Sequence, residues 1–228
     1  MSAQQASARL RKGQAGPSPH RRPADPCALV ILGATGDLSK RLVAPALYNL
    51  ARFHGLPDNF AVIGVARTDL TTQAWRDQLY DVLKSYVGNP SGAFDIDHID
   101  EAAWARVAQS MTYISGDLTQ PEVYAALGQA LDQAENACGT QGNAIFYLAV
   151  ADTLFGPIAE QLGKAKLTDQ IQDQDSEKRF WRRVVVEKPF GHSLQSACEL
   201  NAQLLRTLGE DQIFRIDHVL GKDTVQSI

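Results

Sequence analysis

Short apolar runs alternating with amphipathic segments constrain this chain more than any other feature. Ala28-Leu-Val-Ile-Leu32, Phe60-Ala-Val-Ile-Gly-Val65, Met111-Thr-Tyr-Ile-Ser115, Ala144-Ile-Phe-Tyr-Leu-Ala149, Arg183-Val-Val-Val186 and Gln212-Ile-Phe-Arg-Ile216 have the length and bulk of buried strands. Between them lie helical segments at about 38–53, 71–87, 101–109, 121–133, 153–163 and 193–207. In the first, Leu38, Leu42, Val43, Ala46, Leu47 and Leu50 share one face, and Pro45 should kink the helix or begin a fresh turn. Five strand–helix alternations predict an α/β fold, a doubly wound and mostly parallel sheet with right-handed crossovers. Ligands of such sheets bind beyond the carboxyl ends of the strands. Gly33–Asp37, Arg67, Gly116–Asp117, Tyr147–Ala149 and Glu187–Pro189 are therefore expected to line one crevice.

Composition excludes several classes. Over 228 residues, 44% hydrophobic and 21% charged content is neither collagen-like nor coiled-coil nor wholly disordered. No run approaches the ~18 consecutive apolar residues of a membrane span. Cys27, Cys138 and Cys198 form an odd, widely spaced set without CxxC, as expected of reduced thiols in a cytoplasmic protein. Residues 1–26 carry Arg9, Arg11, Lys12, Arg21 and Arg22 against Asp25 alone, so the body is the acidic part of a chain of net charge −4. An acidic body argues against a nucleic-acid partner, which needs clustered Lys and Arg. The tail lacks an apolar signal-peptide core. Its acid-poor composition resembles an organelle transit peptide, but an inert, disordered basic tail is the reading carried forward. A charged loop is expected over 168–180.

The chemistry is carried by strand ends. Gly33-Ala34-Thr35-Gly36-Asp37-Leu38 joins the first strand to its helix, where glycine permits a sharp turn and close approach of backbone N–H groups to a pyrophosphate. Asp37 suits the helix dipole, and Lys40 and Arg41 balance it beside a polyanion. The spacing is not GxGxxG, so the turn argues for a dinucleotide only together with the alternation around it. Arg67 stands where NAD sites usually carry Asp or Glu. A guanidinium there accommodates a 2′-phosphate and favours NADP, although an ordinary surface Arg is the alternative. Gly116-Asp117 would lie near the adenine end or form a common turn. Pro189 restricts Lys188 to an extended conformation aimed at the crevice, where a solvated lysine is the plainer reading. In Arg215-Ile-Asp217-His218-Val-Leu-Gly-Lys222, His218 and Lys222 could bind a phosphate and Asp217 orient a base. Taken alone, that cluster is more simply a structural histidine in a turn. Tyr80-x-x-x-Lys84 lies between the second and third strands, away from the crevice, and no GxSxG or metal-ligand pattern occurs.

With these residues in view, Leu32-GATGDLSKRLVAPALYNL-Ala51, Ile63-GVAR-Thr68, Phe146-YLAV-Ala151, Glu187-KPFG-His192 and Arg215-IDHVLGK-Asp223 resemble, in order, the motifs of the glucose-6-phosphate dehydrogenases. The resemblance covers about Cys27 to Ile228 and implies an NADP-binding Rossmann-type domain over 27–210. Residues 211–228 would begin a second α+β domain that carries substrate and dimer contacts. It implies that Gly33, Ala34, Thr35, Gly36, Asp37, Leu38 and Lys40 hold the NADP pyrophosphate, and Arg67 the 2′-phosphate. Tyr147 and Lys188 would line the nicotinamide and sugar end, with His218 and Lys222 on the phosphate of glucose 6-phosphate. Asp217 would orient a catalytic histidine absent from this chain. The implied reaction is NADP-dependent oxidation of glucose 6-phosphate to 6-phosphoglucono-lactone. Val219 stands where the family usually has Tyr, and segment 168–180 is longer than the family's connection. The family is homo-oligomeric, but its catalytic-histidine region and dimer sheet would lie beyond Ile228, so no turnover is expected of the isolated chain. The alternatives are a sugar oxidoreductase of the glucose-fructose oxidoreductase type and a non-catalytic NADP-binding fragment.

Overall fold

The computed structural model describes residues 24–88, 96–171, 176 and 178–217. Every apolar run becomes a strand: β1 (Cys27–Leu32), β2 (Phe60–Ala66), β3 (Met111–Ser115), β4 (Ala144–Leu148), β5 (Arg182–Glu187) and β6 (Ile213–Ile216). They form one sheet in the order β3-β2-β1-β4-β5-β6, with every adjacent pair parallel. The expected α/β class is thus observed, as an all-parallel sheet among the described strands. Its β6 lies hydrogen-bonded beside β5, so the sheet runs on past residue 210, where the sequence reading set a domain boundary.

Helices follow the strands: α1 (Ala44–Arg52), α2 (Thr72–Ser85), α3 (Glu101–Gln109), α4 (Pro121–Cys138), α5 (Phe155–Lys164) and α6 (Leu194–Leu204). Because strand side chains alternate between faces, β1 serves both layers. Ala28, Val30 and Leu32 point with Ile63, Phe146 and Val184 into the core beneath α4, α5 and α6. Ile31 joins Val62, Leu47 and Trp75 in the core beneath α1, α2 and α3. Two apolar layers on opposite faces are what a doubly wound sheet requires. Local signals start the helices. Thr71 accepts from Ala74 N at 3.1 Å to open α2, and Asp100 accepts from Ala102 N and Ala103 N, both at 3.0 Å, to open α3. Ahead of α1, Ser39–Val43 forms a short π-turn, and Pro45 sits in the first turn of α1, where its missing N–H costs no hydrogen bond. Of the two outcomes expected at Pro45, a kink or a fresh turn, the structure shows the second, and the π-turn ahead of it is the unexpected part. α4 runs five residues past the expected Gln133 and ends on Gly139.

Register positions the site. Leu32 is level with Val65 and with Leu148, Val65 with Ile114, and Tyr147 with Val185. The ends of β1, β2, β3 and β4 therefore terminate at one height, at the reversal of strand order between β1 and β4. All three cysteines are free, with Cys27 buried in β1 and Cys198 exposed. Among the described residues no helix is long and apolar enough to cross a membrane.

The turn after β1 needs glycine for two reasons. Gly33 has φ +98°, and a Cβ there would lie 2.2 Å from the Ala149 carbonyl oxygen. Gly33→Ala should cost about 3 kcal/mol or more, read as a lowered urea midpoint. Gly88→Ala, with φ +69° but open space around it, should lose only about 1 kcal/mol. Equal losses would show that the Ala149 contact carries no weight.

Candidate functional site

The Gly33 turn is held from three sides. Gly33 N and Ala34 N both donate to the Val65 carbonyl, at 2.8 and 3.1 Å, and Gly36 N donates to Gly33 O at 3.0 Å. The buried Ser39 hydroxyl donates to the same Gly33 carbonyl at 3.0 Å. From α2, the fully buried Trp75 donates Nε1–H to Ala34 O at 3.3 Å. Trp75 can reach there because β2 has Gly64, where a Cβ would meet the indole at 2.5 Å. The amides of Gly33, Ala34 and Gly36 thus shape the turn itself. The sequence reading had assigned these residues to pyrophosphate contact.

Above the turn opens a cavity of about 720 Å³. Gly33, Thr35 and Gly36 form its floor, Arg67 and Thr68 one side, and Asp117 the end beyond β3. The apolar Leu118, Val150 and Leu154 also face it. The Thr35 and Thr68 hydroxyls meet at 3.1 Å across the crevice, coupling the β1 turn to the β2 end. Behind them, Tyr113 of β3 donates its hydroxyl to Thr68 O at 2.7 Å and fixes the backbone that carries Arg67. The Arg67 guanidinium is exposed. Hydroxyls and a guanidinium beside an apolar wall suit a ligand that combines phosphate with a flat apolar ring, and the volume lies within the range of small-molecule sites.

Asp117 is the anionic element. Thr119 N and Thr119 Oγ1 both donate to its Oδ1, each at 2.9 Å. The backbone N–H of Thr119 first, and then its hydroxyl, hold the carboxyl below the ordinary carboxylate range; burial opposes them, and the charge of Arg67 adds a lesser pull in their direction.

The remaining expected site residues do not line this cavity. Asp37 pairs with Arg41 at 3.2 Å on the exposed surface of the first helical turn, while Leu38 and Lys40 are partly buried at its start. Tyr147 hydrogen-bonds Glu187 across β4 and β5. Burial first, then the bond to Glu187 and its charge, push the Tyr147 phenol well above its usual range. Lys188 pairs with Asp217 at 2.8 Å, each following the end of adjacent strands β5 and β6. Gly116 supports the site from below, since a Cβ there would strike Val123 at 2.3 Å. Of the residues expected to line one crevice, Gly33, Thr35, Gly36, Arg67 and Asp117 share this cavity with Ala149 beyond β4, while Tyr147, Glu187 and Lys188 group with Asp217 over β4–β6 on the same sheet edge. His218, Val219 and Lys222 lie outside the described residues, as do the tail over 1–23 and part of 168–180.

Sequence reasoning missed Thr68, Thr119 and the pair His192–Asp152, whose Nε2 and Oδ2 stand 3.0 Å apart beyond β4 and β5. Thr119 was findable, because Asp-x-Thr after a strand is a side-chain-closed turn. Asp152 and His192 are 40 positions apart, and only the β4–β5 pairing brings them together. Among the described residues no three or more His, Cys, Asp or Glu are grouped to hold a metal ion.

Residues 30–227 match the family described as glucose-6-phosphate dehydrogenase, NAD binding domain. The glucose-6-phosphate 1-dehydrogenase 2 of Mycobacterium bovis is 38% identical over 207 residues, which is 91% of this chain and 38% of that protein. The glucose-6-phosphate 1-dehydrogenase of Chlamydia pneumoniae is 36% identical over the same length, and again 38% of the relative is covered. The chain therefore spans well under half of these relatives. A crystal structure of the Mycobacterium avium glucose-6-phosphate 1-dehydrogenase superposes with TM-score 0.69 at 37% identity, over 88% of this chain and 37% of that one. A glucose-6-phosphate dehydrogenase solved with its substrate glucose 6-phosphate gives 0.72 at 32% identity, over 91% and 39%.

Asp117 has a lowered pKa in the folded chain, so the stability its bonds contribute is complete above the unfolded carboxylate pKa. It is lost as pH falls through the folded value. Thr119→Val should move the Asp117 titration upward toward the ordinary range, read by carboxyl NMR. An unchanged titration would show that the Thr119 hydroxyl does not hold the carboxylate, since the variant keeps the backbone N–H bond.

Proposed function

The chain belongs to the glucose-6-phosphate dehydrogenase family through its NAD-binding domain, and on that premise we propose that the cavity over β1–β3 binds NADP. In this reading the 2′-phosphate lies on Arg67 and the pyrophosphate over the Gly33–Gly36 turn. The observation that carries it is the placement of the exposed Arg67 guanidinium beside that turn, in a cavity of small-molecule size. A guanidinium binds phosphate through a bidentate fork, whereas a ribose 2′-hydroxyl would call for a carboxylate there. The Thr35 and Thr68 hydroxyls lie between the turn and Arg67 and can donate to the same phosphates.

The nicotinamide end is proposed to extend toward β4 and β5. Arg67 follows β2 and Lys188 follows β5, three strand spacings away, or about 14 Å. Lys188 and Asp217 there form an ion pair that is half open to water, with side chains 52% and 25% exposed. The pair presents an ammonium to an anionic or hydroxyl-rich substrate and keeps a carboxylate beside it. Glucose 6-phosphate is the proposed substrate and 6-phosphoglucono-lactone the product. Nicotinamide, when bound, supplies the hydride acceptor. Lys188 would hold the sugar, Asp217 would orient a proton-accepting group, and His218 with Lys222 would take the sugar phosphate. The support for these roles is the motif resemblance together with the observed Lys188–Asp217 pairing. A cytoplasmic enzyme of glucose metabolism follows from the same reading.

Titration with NADP and NAD separates this function from a generic nucleotide fold. The wild-type chain should prefer NADP. Arg67→Ala should weaken NADP binding about tenfold to a hundredfold, the worth of charge-assisted phosphate bonds, and leave NAD nearly unchanged. Equal weakening of both, or no preference in the wild type, would remove the 2′-phosphate assignment.

A further inference from the structure

A second cavity, of about 470 Å³, opens at the opposite edge of the sheet, where β4 and β5 begin. Arg182 opens β5 and Glu187 closes it, so this cavity lies one strand length, about 16 Å, from the carboxyl edge that carries Arg67 and Lys188. One wall is cationic. Lys178, Arg179 and Arg182 come from the run Lys178-Arg-Phe-Trp-Arg-Arg183, which closes the charged segment before β5. The other wall is acidic, with Asp132 and Glu135 on the last two turns of α4. The Arg182 guanidinium lies 5.1 Å from the Phe180 ring centre, and its Nε and Nη1 are buried with no hydrogen-bond partner among the described residues. Burial pulls that guanidinium below its ordinary pKa against the charges of Asp132, Glu135 and Asp169, so these carboxylates do not fully offset the cost of burying it.

The walls are fixed in place. Glu135 Oε2 accepts from Thr140 Oγ1 at 2.8 Å and from Gly142 N at 2.9 Å, and Asn143 Oδ1 accepts from Trp181 N at 3.0 Å. We propose that this cavity is a second ligand site, for a small phosphate ester that also bears hydroxyl groups. Its phosphate lies on Arg182, Arg179 and Lys178, and its hydroxyls donate to Asp132 and Glu135. Guanidinium and ammonium groups bind phosphate by charge-assisted hydrogen bonds, and a buried cation gains most from such a partner because an unpaired buried charge is costly. Ionised carboxylates only accept, so the acidic wall receives donors and repels a second anionic group. A polyphosphate therefore does not suit both walls, and an uncharged polyol leaves the cationic wall unused. The site is separate from the cofactor cavity, and the proposal does not rest on the NADP reading.

The test titrates the 228-residue chain carrying Arg67→Ala, so that phosphate held at the cofactor cavity does not contribute. Glycerol 3-phosphate is the probe, with inorganic phosphate and glycerol as its two halves. The ester should bind about tenfold or more tightly than inorganic phosphate, the worth of its added hydrogen bonds, and should shift the Arg182 Nε–H resonance in the NMR spectrum. Arg182→Met keeps an apolar stem and should abolish binding. Arg179→Ala should weaken binding about tenfold, and this exposed position carries the test if Arg182→Met does not fold. Asp132→Asn should narrow the gap between ester and inorganic phosphate, because it weakens the acceptor of hydroxyls and removes a charge that repels the anion. An Arg182 resonance unmoved by the ester, binding unaffected by both arginine variants, or a gap unchanged by Asp132→Asn overturns the proposal. Binding that emerges only after Asp173, Asp175 and Glu177 are changed to their amides also overturns it, since the chain's own carboxylates would then be the occupant.

Discussion

The Val65 carbonyl receives the N–H groups of both Gly33 and Ala34, and the rest of the site depends on that junction. It ties the turn after β1 to the end of β2 and sets Thr35 against Thr68. The junction has little freedom. Gly33 is pressed against the Ala149 carbonyl, Ala34 is fully buried, and Trp75 and Ser39 bond the two carbonyls of the turn. A backbone with its polar groups satisfied in this way cannot rearrange without leaving a buried donor or acceptor unpaired. The turn therefore works as a rigid floor, and its glycines serve the fold before they serve a ligand.

Around that floor the charges are separated along the strand order. Asp117 stands beyond β3, Arg67 beyond β2, and the Lys188–Asp217 pair beyond β5 and β6. Each anion has a local partner, Thr119 for Asp117 and Lys188 for Asp217, while Arg67 reaches solvent. Within the cavity itself the exposed guanidinium is thus the group suited to an anionic ligand, and the side toward β3 is suited to a donor.

Much of this arrangement was legible in the residues. Alternating apolar runs marked all six strands, because a parallel strand covered on both faces must be apolar over nearly its whole length. Gly33, Gly36, Arg67 and Asp117 were identifiable because each follows directly on such a run, and ligand sites of open parallel sheets lie at that edge. The π-turn before Pro45 was not legible, since hydrogen-bond spacing within a helix leaves little trace in composition. Nor was the duty of the Gly33 and Ala34 amides, which depends on the Val65 carbonyl, 32 and 31 residues further along the chain.

By itself, the amino-acid order determined which segments are strands, which residues stand at their ends, and the family to which the chain belongs. All three follow from local chemistry: apolar period, turn-forming glycine and contiguous motif. Which of those ends share a cavity was decided only by the sheet. Its order puts β1 between β2 and β4, so Arg67 and Asp117 fall on one side of the Gly33 turn and Lys188 and Asp217 on the other. Its register levels the strand ends so that Thr35 meets Thr68 and Asp152 meets His192. Strand order and register come from packing two helical layers on a twisted sheet, a property of the whole chain that no short stretch of sequence contains.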